Sequence, residues 1–144
     1  MNHQMNIILS SGFGLYYVRL PLKTRPGITR GNALTEDWRK VVEPKELSYI
    51  LGNPPFVGSK FLSDDQREEM ETIFSSSKNS GVLDYVSAWY VKAAEFIQDT
   101  NIKIGFVSTN SITQGEQVGP LWDLLLNKYG VKIHFAHRTF KWSS

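Results

Sequence analysis

The chain has 144 residues, of which 41% are apolar and 21% are charged, as is ordinary for a soluble globular protein. Its net charge of +2 does not by itself indicate nucleic acid, and the absence of cysteine excludes a disulfide framework or a thiolate metal site. No apolar run approaches a membrane span and no signal pattern opens the chain, so we expect a cytoplasmic protein without membrane contacts.

The amino-terminal part predicts a short helix over residues 1–12 that ends at Gly12. A glycine loop that cradles a cofactor follows a strand and opens a helix, whereas Ser11-Gly12-Phe13-Gly14 precedes an extended-looking run. We therefore favour a turn or helix cap there over a cofactor loop. A short strand is predicted over residues 28–30, ending at Gly31-Asn32.

The most informative stretch is residues 49–56. Its apolar run, Tyr49-Ile50-Leu51, predicts a buried strand. Neither Pro54 nor Pro55 can donate to a sheet ladder, so the strand must end at Asn53. The result is a stiff elbow at the carboxyl end of a strand, where open α/β sheets bind ligands.

This elbow presents the Asn53 amide oxygen, carbonyls freed by the prolines, and the ring of Phe56. Two acceptors beside a ring suit a planar group that bears an NH2. Holding the amino hydrogens favours a tetrahedral nitrogen whose lone pair can attack, without a charged base. The alternative is an ordinary Asn-Pro-Pro turn with Phe56 in the core.

After the elbow, the sequence predicts a helix with Ser63 as its N-cap and Gln66 as the capping-box partner. Acids crowd the first turns of this helix, where the helix dipole favours them, so we expect a capped helix rather than a metal site. Residues 75–81 are a polar loop that could touch nucleic acid. The clearest helix covers residues 84–98, with Asp84 as its expected N-cap.

A second strand is predicted over residues 102–107. If it is a parallel neighbour of the first strand, its polar end at residues 108–111 should lie beside Asn53. A helix from about Gln117 to Lys128 and a last strand over residues 131–136 follow. His134 and His137 would point to opposite faces of that strand, so they do not form a metal pair, and no metal site is expected.

Residues 137–142 interleave basic and aromatic side chains, His137-Arg138-Thr139-Phe140-Lys141-Trp142. Cations that meet phosphate and rings that stack on bases suit a nucleic acid, and Arg138 and Lys141 are the expected DNA contacts. The alternative is a basic strand end with buried rings.

The Asn-Pro-Pro-Phe sequence at residues 53–56 resembles the motif of S-adenosylmethionine-dependent amino-methyltransferases, especially adenine-N6 DNA methyltransferases. The resemblance covers nearly the whole chain and is closest to methylase regions of bacterial restriction-modification enzymes. It continues in order through residues 31–38, 83–90, 106–112 and 135–142.

The resemblance implies an α/β fold, a truncated Rossmann-like class I methyltransferase sheet of mostly parallel strands with flanking helices. It implies S-adenosylmethionine as cofactor and DNA as partner. Asn32, otherwise a turn residue, would lie near the cofactor adenine, and Asp84 on the cofactor side. Phe140, or failing that Trp142, would pack against a flipped adenine opposite Phe56. The implied catalytic residues are Asn53, Pro54, Pro55 and Phe56.

The glycine-rich loop and ribose-binding acid of the resembled family are not found in this sequence, and neither is a target-recognition region. Residues 1–144 are therefore expected to be a partial catalytic domain of a longer polypeptide, inactive alone, with exposed sheet edges that permit self-association. Two alternatives stay open. One is methyl transfer to another planar nitrogen, in protein glutamine, RNA guanine or cytosine N4, and the other is a non-catalytic DNA-binding fragment.

Overall fold

The computed structural model of the protein describes residues 27–75 and 80–137. The predictions for residues 1–26 lie outside the described residues, as do loop residues 76–79 and the proposed DNA contacts Arg138, Phe140, Lys141 and Trp142. The α-helices and strands of the described chain follow in the order α1 (Trp38–Val41), β1 (Tyr49–Gly52), α2 (Asp64–Ile73), α3 (Ser87–Phe96), β2 (Lys103–Phe106) and α4 (Val118–Asp123).

The two strands form a parallel pair, in register from Tyr49 opposite Lys103 to Gly52 opposite Phe106. The strands predicted at residues 49–53 and 102–107 and their parallel pairing are confirmed. β1 ends at Gly52, directly before Asn53 and the two prolines, whose missing N–H groups cannot continue the ladder. The carboxyl ends of β1 and β2 therefore lie side by side, with α2 and α3 in the connection between them.

The prediction that β1 is buried was wrong for one of its faces. Tyr49 is 63% and Leu51 is 78% exposed, whereas Ile50 between them is half-buried. Alternate residues of a strand point to opposite faces of the sheet. The face that carries Ile50 is packed, and no described residue covers the face that carries Tyr49 and Leu51.

The hydrophobic core surrounds α3. Ala88, Val91 and Ala94 on this helix are almost completely buried, so the helix is enclosed on more of its circumference than a single apolar stripe predicts. The residues that pack around it come from α2 and its end, Met70 and Phe74, and from α4 and its continuation, Leu121 and Leu125. One edge of α3 reaches the sheet, because the Tyr90 ring meets the Phe106 ring edge-on at 5.3 Å between centroids.

The predicted capping box at the start of α2 is confirmed. The Gln66 backbone N–H donates to Ser63 Oγ at 3.3 Å, and the Ser63 N–H donates to Gln66 Oε1 at 3.0 Å. The prediction that Asp84 caps α3 was wrong. This helix begins at Ser87 with Val86 at its N-cap and without a side-chain cap, because the Asp84 carboxylate is bonded to other segments of the chain.

The predicted helix over residues 117–128 is present, but only Val118–Asp123 is α-helical. It continues as a π-helical turn over Leu124–Lys128, and Gly130 follows with a positive φ of 62°. The strands predicted over residues 28–30 and 131–136 were wrong. Both segments are irregular and largely exposed, since neither has a partner strand within the described ranges. None of the described helices is long and apolar enough to cross a membrane.

Candidate functional site

The elbow that follows β1 lies directly beside the segment that follows β2. The Val107 N–H donates to the Gly52 carbonyl oxygen at 3.0 Å, which carries the pairing one residue past the end of β2. The polar residues 108–111 therefore begin next to Asn53, as the parallel arrangement predicts. Two loops, one from each strand, meet at this edge of the sheet.

Within the elbow, exposed and buried residues alternate sharply. Pro54 is buried and holds the turn in place, whereas Asn53 and Pro55 are exposed. The Asn53 side-chain amide makes no hydrogen bond to any residue in the described part of the chain. Phe56 is 48% exposed, which does not fit a residue buried in the core. The amide oxygen and this ring are available to a ligand.

Phe56 lies on the wall of a cleft of about 220 Å³ between the two loops. Pockets that enclose drug-sized ligands have roughly 300–1,000 Å³, so this cleft suits a group the size of one ring system. Its lining combines apolar groups with hydroxyl and carboxylate groups. The residues that line it are Phe56, Val57, Gly58, Asp84, Val86, Thr109 and Ser111.

Asp84 is the charged residue of this cleft, and its carboxylate is engaged on both oxygens. Oδ1 accepts the Ser59 N–H at 3.1 Å, and Oδ2 accepts the Gln117 Nε2–H at 2.9 Å. Burial opposes ionisation of the carboxyl, but hydrogen bonds from Ser111, Gln117 and Ser59 outweigh it and lower the pKa of Asp84. The group is therefore an anion at neutral pH.

The loop after β2 is fixed by hydroxyl groups. The Tyr90 hydroxyl donates to Ser108 Oγ at 3.2 Å, and the Thr109 and Ser111 hydroxyl oxygens are 2.6 Å apart. Burial raises the pKa of Tyr90 despite the hydrogen bond to Ser108, so its phenol stays protonated. These contacts order the wall of the cleft that faces Phe56.

Asn32 belongs to a second polar cluster, together with Glu69 of α2 and with Tyr85, which lies just before α3. Its Nδ2 donates to Glu69 Oε1 at 2.6 Å, and its Oδ1 accepts the Leu34 N–H at 2.9 Å. The Tyr85 hydroxyl donates to the other Glu69 oxygen. Burial, together with this hydrogen bond to Glu69, raises the pKa of Tyr85 above its ordinary range.

The acidic face of α2 lines a further cleft of about 350 Å³, together with Thr35. No group of side chains within residues 27–75 and 80–137 has the arrangement of a metal site.

The structure brings Asp84 to the cleft beside Phe56, while Asn32 lies in the second cluster, where Glu69 joins it to Tyr85. Sequence reasoning missed the part that Ser59, Ser111 and Gln117 play around Asp84. Ser111 was visible as part of a polar strand end. Ser59 and Gln117 gave no signal, because a serine after a glycine and a glutamine at a helix start are ordinary loop residues.

Comparison with known proteins gives a consistent picture. The family model described as MmeI, DNA-methyltransferase domain, matches residues 1–144. DNA methyltransferase A of Bacillus subtilis (strain 168) is 42% identical over 145 residues, which cover 99% of this chain and 16% of that protein. A solved structure of the type IIL restriction-modification enzyme MmeI in complex with DNA is 52% identical, with a TM-score of 0.84, covering 99% of this chain and 19% of that one. The chain therefore spans less than a fifth of the length of these relatives.

Proposed function

The chain belongs to the MmeI DNA-methyltransferase domain family, and we propose that it transfers the methyl group of S-adenosylmethionine to the N6 amino group of adenine in DNA. The observation that carries this proposal is the elbow at the carboxyl end of β1. There an exposed Asn53 amide, without a hydrogen-bond partner in the described residues, stands next to a half-exposed Phe56 ring. This combination of acceptor and ring face suits a planar aromatic amine.

In the proposed reaction the adenine is flipped out of the duplex and stacks on Phe56. The Asn53 amide oxygen and the Pro54 carbonyl oxygen accept the two amino hydrogens. The nitrogen becomes more tetrahedral, and its lone pair is directed away from the two acceptors. S-adenosylmethionine, when bound, supplies an electrophilic methyl group. Asn53 and Pro54 would stabilise the positive charge that develops on the amino nitrogen as its bond to the methyl carbon forms and the methyl–sulfur bond of the sulfonium breaks. The nitrogen would release one of its protons to solvent in a later step.

The residues around Asn32 fit the adenine end of that cofactor. Asn32 and Glu69 already bond within this cluster, but the second Nδ2 hydrogen of the exposed Asn32 and the remaining lone pairs of the half-buried Glu69 carboxylate can serve a ligand. Asn32 would hold the cofactor adenine, and the residues for the methionine end would come from elsewhere on the polypeptide. The resemblance also implies a cofactor contact at Asp84.

We further propose that the chain is the catalytic segment of a longer restriction-modification polypeptide. The relatives that it matches are more than five times its length. In such a polypeptide β1 and β2 would be neighbours inside a larger doubly wound sheet. The exposed Tyr49 and Leu51 support this arrangement, because a face of this kind is covered in complete sheets of that class. Arg138, Lys141, Phe140 and Trp142 are the proposed DNA contacts.

The test uses the polypeptide in which the chain naturally occurs, with tritiated S-adenosylmethionine and duplex DNA, RNA and protein offered in parallel. We expect labelled N6-methyladenine in DNA. Asn53→Ala should lower the rate by about 10²–10³-fold, as removal of one preorganised polar partner of a transition state does. It should leave thermal unfolding unchanged, since the side chain is exposed and makes no hydrogen bond within the described ranges.

Asn101→Ala is the matched control, because Asn101 is also exposed but precedes β2, at the opposite end of the strands. It should keep the wild-type rate. Label in RNA, in protein or at cytosine N4 in place of adenine would overturn the assignment of the substrate. An Asn53→Ala variant as active as Asn101→Ala would overturn the role of the elbow.

A further inference from the structure

Gln117 is a buried polar residue, 7% exposed, that the proposed reaction does not use. It stands at the N-cap of α4, but its side chain does not cap that helix. Instead it reaches Asp84, 33 residues earlier in the chain, through two hydrogen bonds. Its Oε1 accepts the Asp84 backbone N–H at 3.1 Å, and its Nε2 donates to Asp84 Oδ2 at 2.9 Å.

The other side of Asp84 holds the residues that follow Phe56. Asp84 Oδ1 accepts the Ser59 N–H at 3.1 Å, and the adjacent Tyr85 N–H donates to the Val57 carbonyl oxygen at 2.9 Å. Two bonds therefore fix the segment directly after the Phe56 ring.

The network thus joins the chain after β1 to the chain after β2 through one carboxylate. The segment after Phe56 is held by Oδ1 and the Tyr85 N–H. Gln117 bonds Oδ2 and the Asp84 N–H, and it follows the loop after β2 that supplies Thr109 and Ser111 to the cleft. Such a network, with a buried Gln117 and a partly buried Asp84, is rigid when its members are all satisfied, since each missing partner would leave an unpaired polar group. No buried side-chain nitrogen or oxygen in the described part of the chain lacks a partner.

We propose that Asp84 and Gln117 are a positioning pair that holds Phe56 at the distance from the opposite wall that the target base requires. This inference rests on the proposed function, because it assigns the cleft between the two walls to the flipped base. It differs from a cofactor contact at Asp84, because it gives the carboxylate the task of holding Ser59 and Gln117, which its two oxygens already bond. A positioning pair should affect the rate of transfer at saturating cofactor rather than cofactor affinity.

The donor and acceptor roles of Gln117 and Asp84 can be exchanged by mutation, which provides a test. Asp84→Asn places an NH2 group opposite the Gln117 NH2 group, so two donors face each other. Gln117→Glu places a second carboxylate against Asp84, and like charges at this distance repel. The double variant Asp84→Asn/Gln117→Glu exchanges donor and acceptor between the two positions. It restores the hydrogen bond between the two side chains and preserves the total charge. It also keeps an acceptor for the Ser59 N–H and for the backbone N–H of residue 84.

The experiment measures kcat with saturating DNA and S-adenosylmethionine, and the Kd of S-adenosylmethionine, for the intact polypeptide. Each single variant should lose about tenfold in kcat through misplacement of Phe56, the double variant should recover to within about threefold of wild type, and cofactor Kd should stay unchanged. Thermal unfolding of the four proteins provides a second readout of the same pattern. If a single variant fails to fold, the double variant should still fold and transfer.

Several outcomes would overturn the pair. One is a double variant no better than the worse single variant in kcat or in folding. Another is an Asp84→Asn variant with weakened cofactor binding and an unchanged kcat, which would make Asp84 a cofactor contact. A wild-type polypeptide that transfers no methyl group to DNA would overturn the proposed function itself. If the wild-type polypeptide is active but the double variant does not recover kcat, the positioning pair alone would be overturned.

Discussion

Lys92 connects α3 to the turn that carries Asn32. Its Nζ donates to the Leu34 carbonyl oxygen at 2.5 Å and to the Glu36 carbonyl oxygen at 2.6 Å. The same ammonium group lies 5.6 Å from the centre of the Trp38 ring. Lys92→Met would remove the charge and both hydrogen bonds while keeping most of the apolar stem, so it tests what the ammonium group contributes to this turn.

The magnitude follows from these contacts. A hydrogen bond to a charged group contributes about 1.5–3 kcal/mol, but the effects of two bonds from one group do not add fully. The Glu36 carbonyl lies at an exposed position where water can replace the ammonium group. Burial lowers the pKa of Lys92, although Asp37, Glu95 and Glu36 oppose that shift, so desolvation offsets part of the gain. We expect a net loss of about 2 kcal/mol of unfolding free energy.

Urea denaturation of the chain, followed by tryptophan fluorescence at neutral pH, measures this loss. The matched control is Lys40→Met, because Lys40 is an exposed lysine of α1. Surface substitutions of this kind usually change stability by less than about 0.5 kcal/mol. An unfolding free energy of Lys92→Met equal to that of Lys40→Met would refute the reasoning. It would mean that water replaces both hydrogen bonds without cost.

Two further predictions concern other contacts of the site. Ser63→Ala should destabilise the chain by about 1 kcal/mol, because it removes the observed cap of α2; an unchanged urea midpoint would show that the cap contributes nothing. Tyr85→Phe should change the alkaline limb of stability. The pKa of Tyr85 is raised above its ordinary value of 10, by burial and then by Glu69, so its contribution is full below pH 10 and is lost as the pH rises further. The variant should therefore lose less stability above pH 10 than wild type in urea midpoints measured against pH, and parallel curves for the two proteins would contradict this.

Much of the local structure could be predicted because its causes lie within a few residues of the chain. Pro54 and Pro55 end β1 by lacking N–H groups, and Ser63 and Gln66 bond each other across one helical turn. The parallel pairing of β1 and β2 followed from two apolar runs with a helical connection. The first two predictions need only the chemistry and spacing of neighbouring residues, whereas the pairing of the strands needs the rule that a helical connection joins parallel strands.

The failures have long-range causes. Asp84 suits an N-cap by residue type, but its carboxylate bonds to Ser59 and Gln117, which are 25 and 33 residues away in the chain. Residues 131–136 alternate as a strand should, yet a strand also needs a partner, and Ile133 and Phe135 are instead exposed. Neither outcome can be derived from a window of sequence, because each depends on which distant segment occupies the neighbouring space.

The adjacent residues Asp84 and Tyr85 have side chains in different clusters. Asp84 bonds to Ser59 and Gln117 on the side of Phe56, and Tyr85 bonds to Glu69 in the cluster of Asn32. The backbone between them is tied to Val57. In the proposed reaction the amino nitrogen and the methyl donor must meet in line beside Asn53, and misplacement by about 1 Å can cost 10²-fold in rate. Asp84 holds the proposed base side and Tyr85 holds the proposed cofactor side, and the two residues share one backbone segment. This arrangement meets the requirement, because neither side can shift without straining the other.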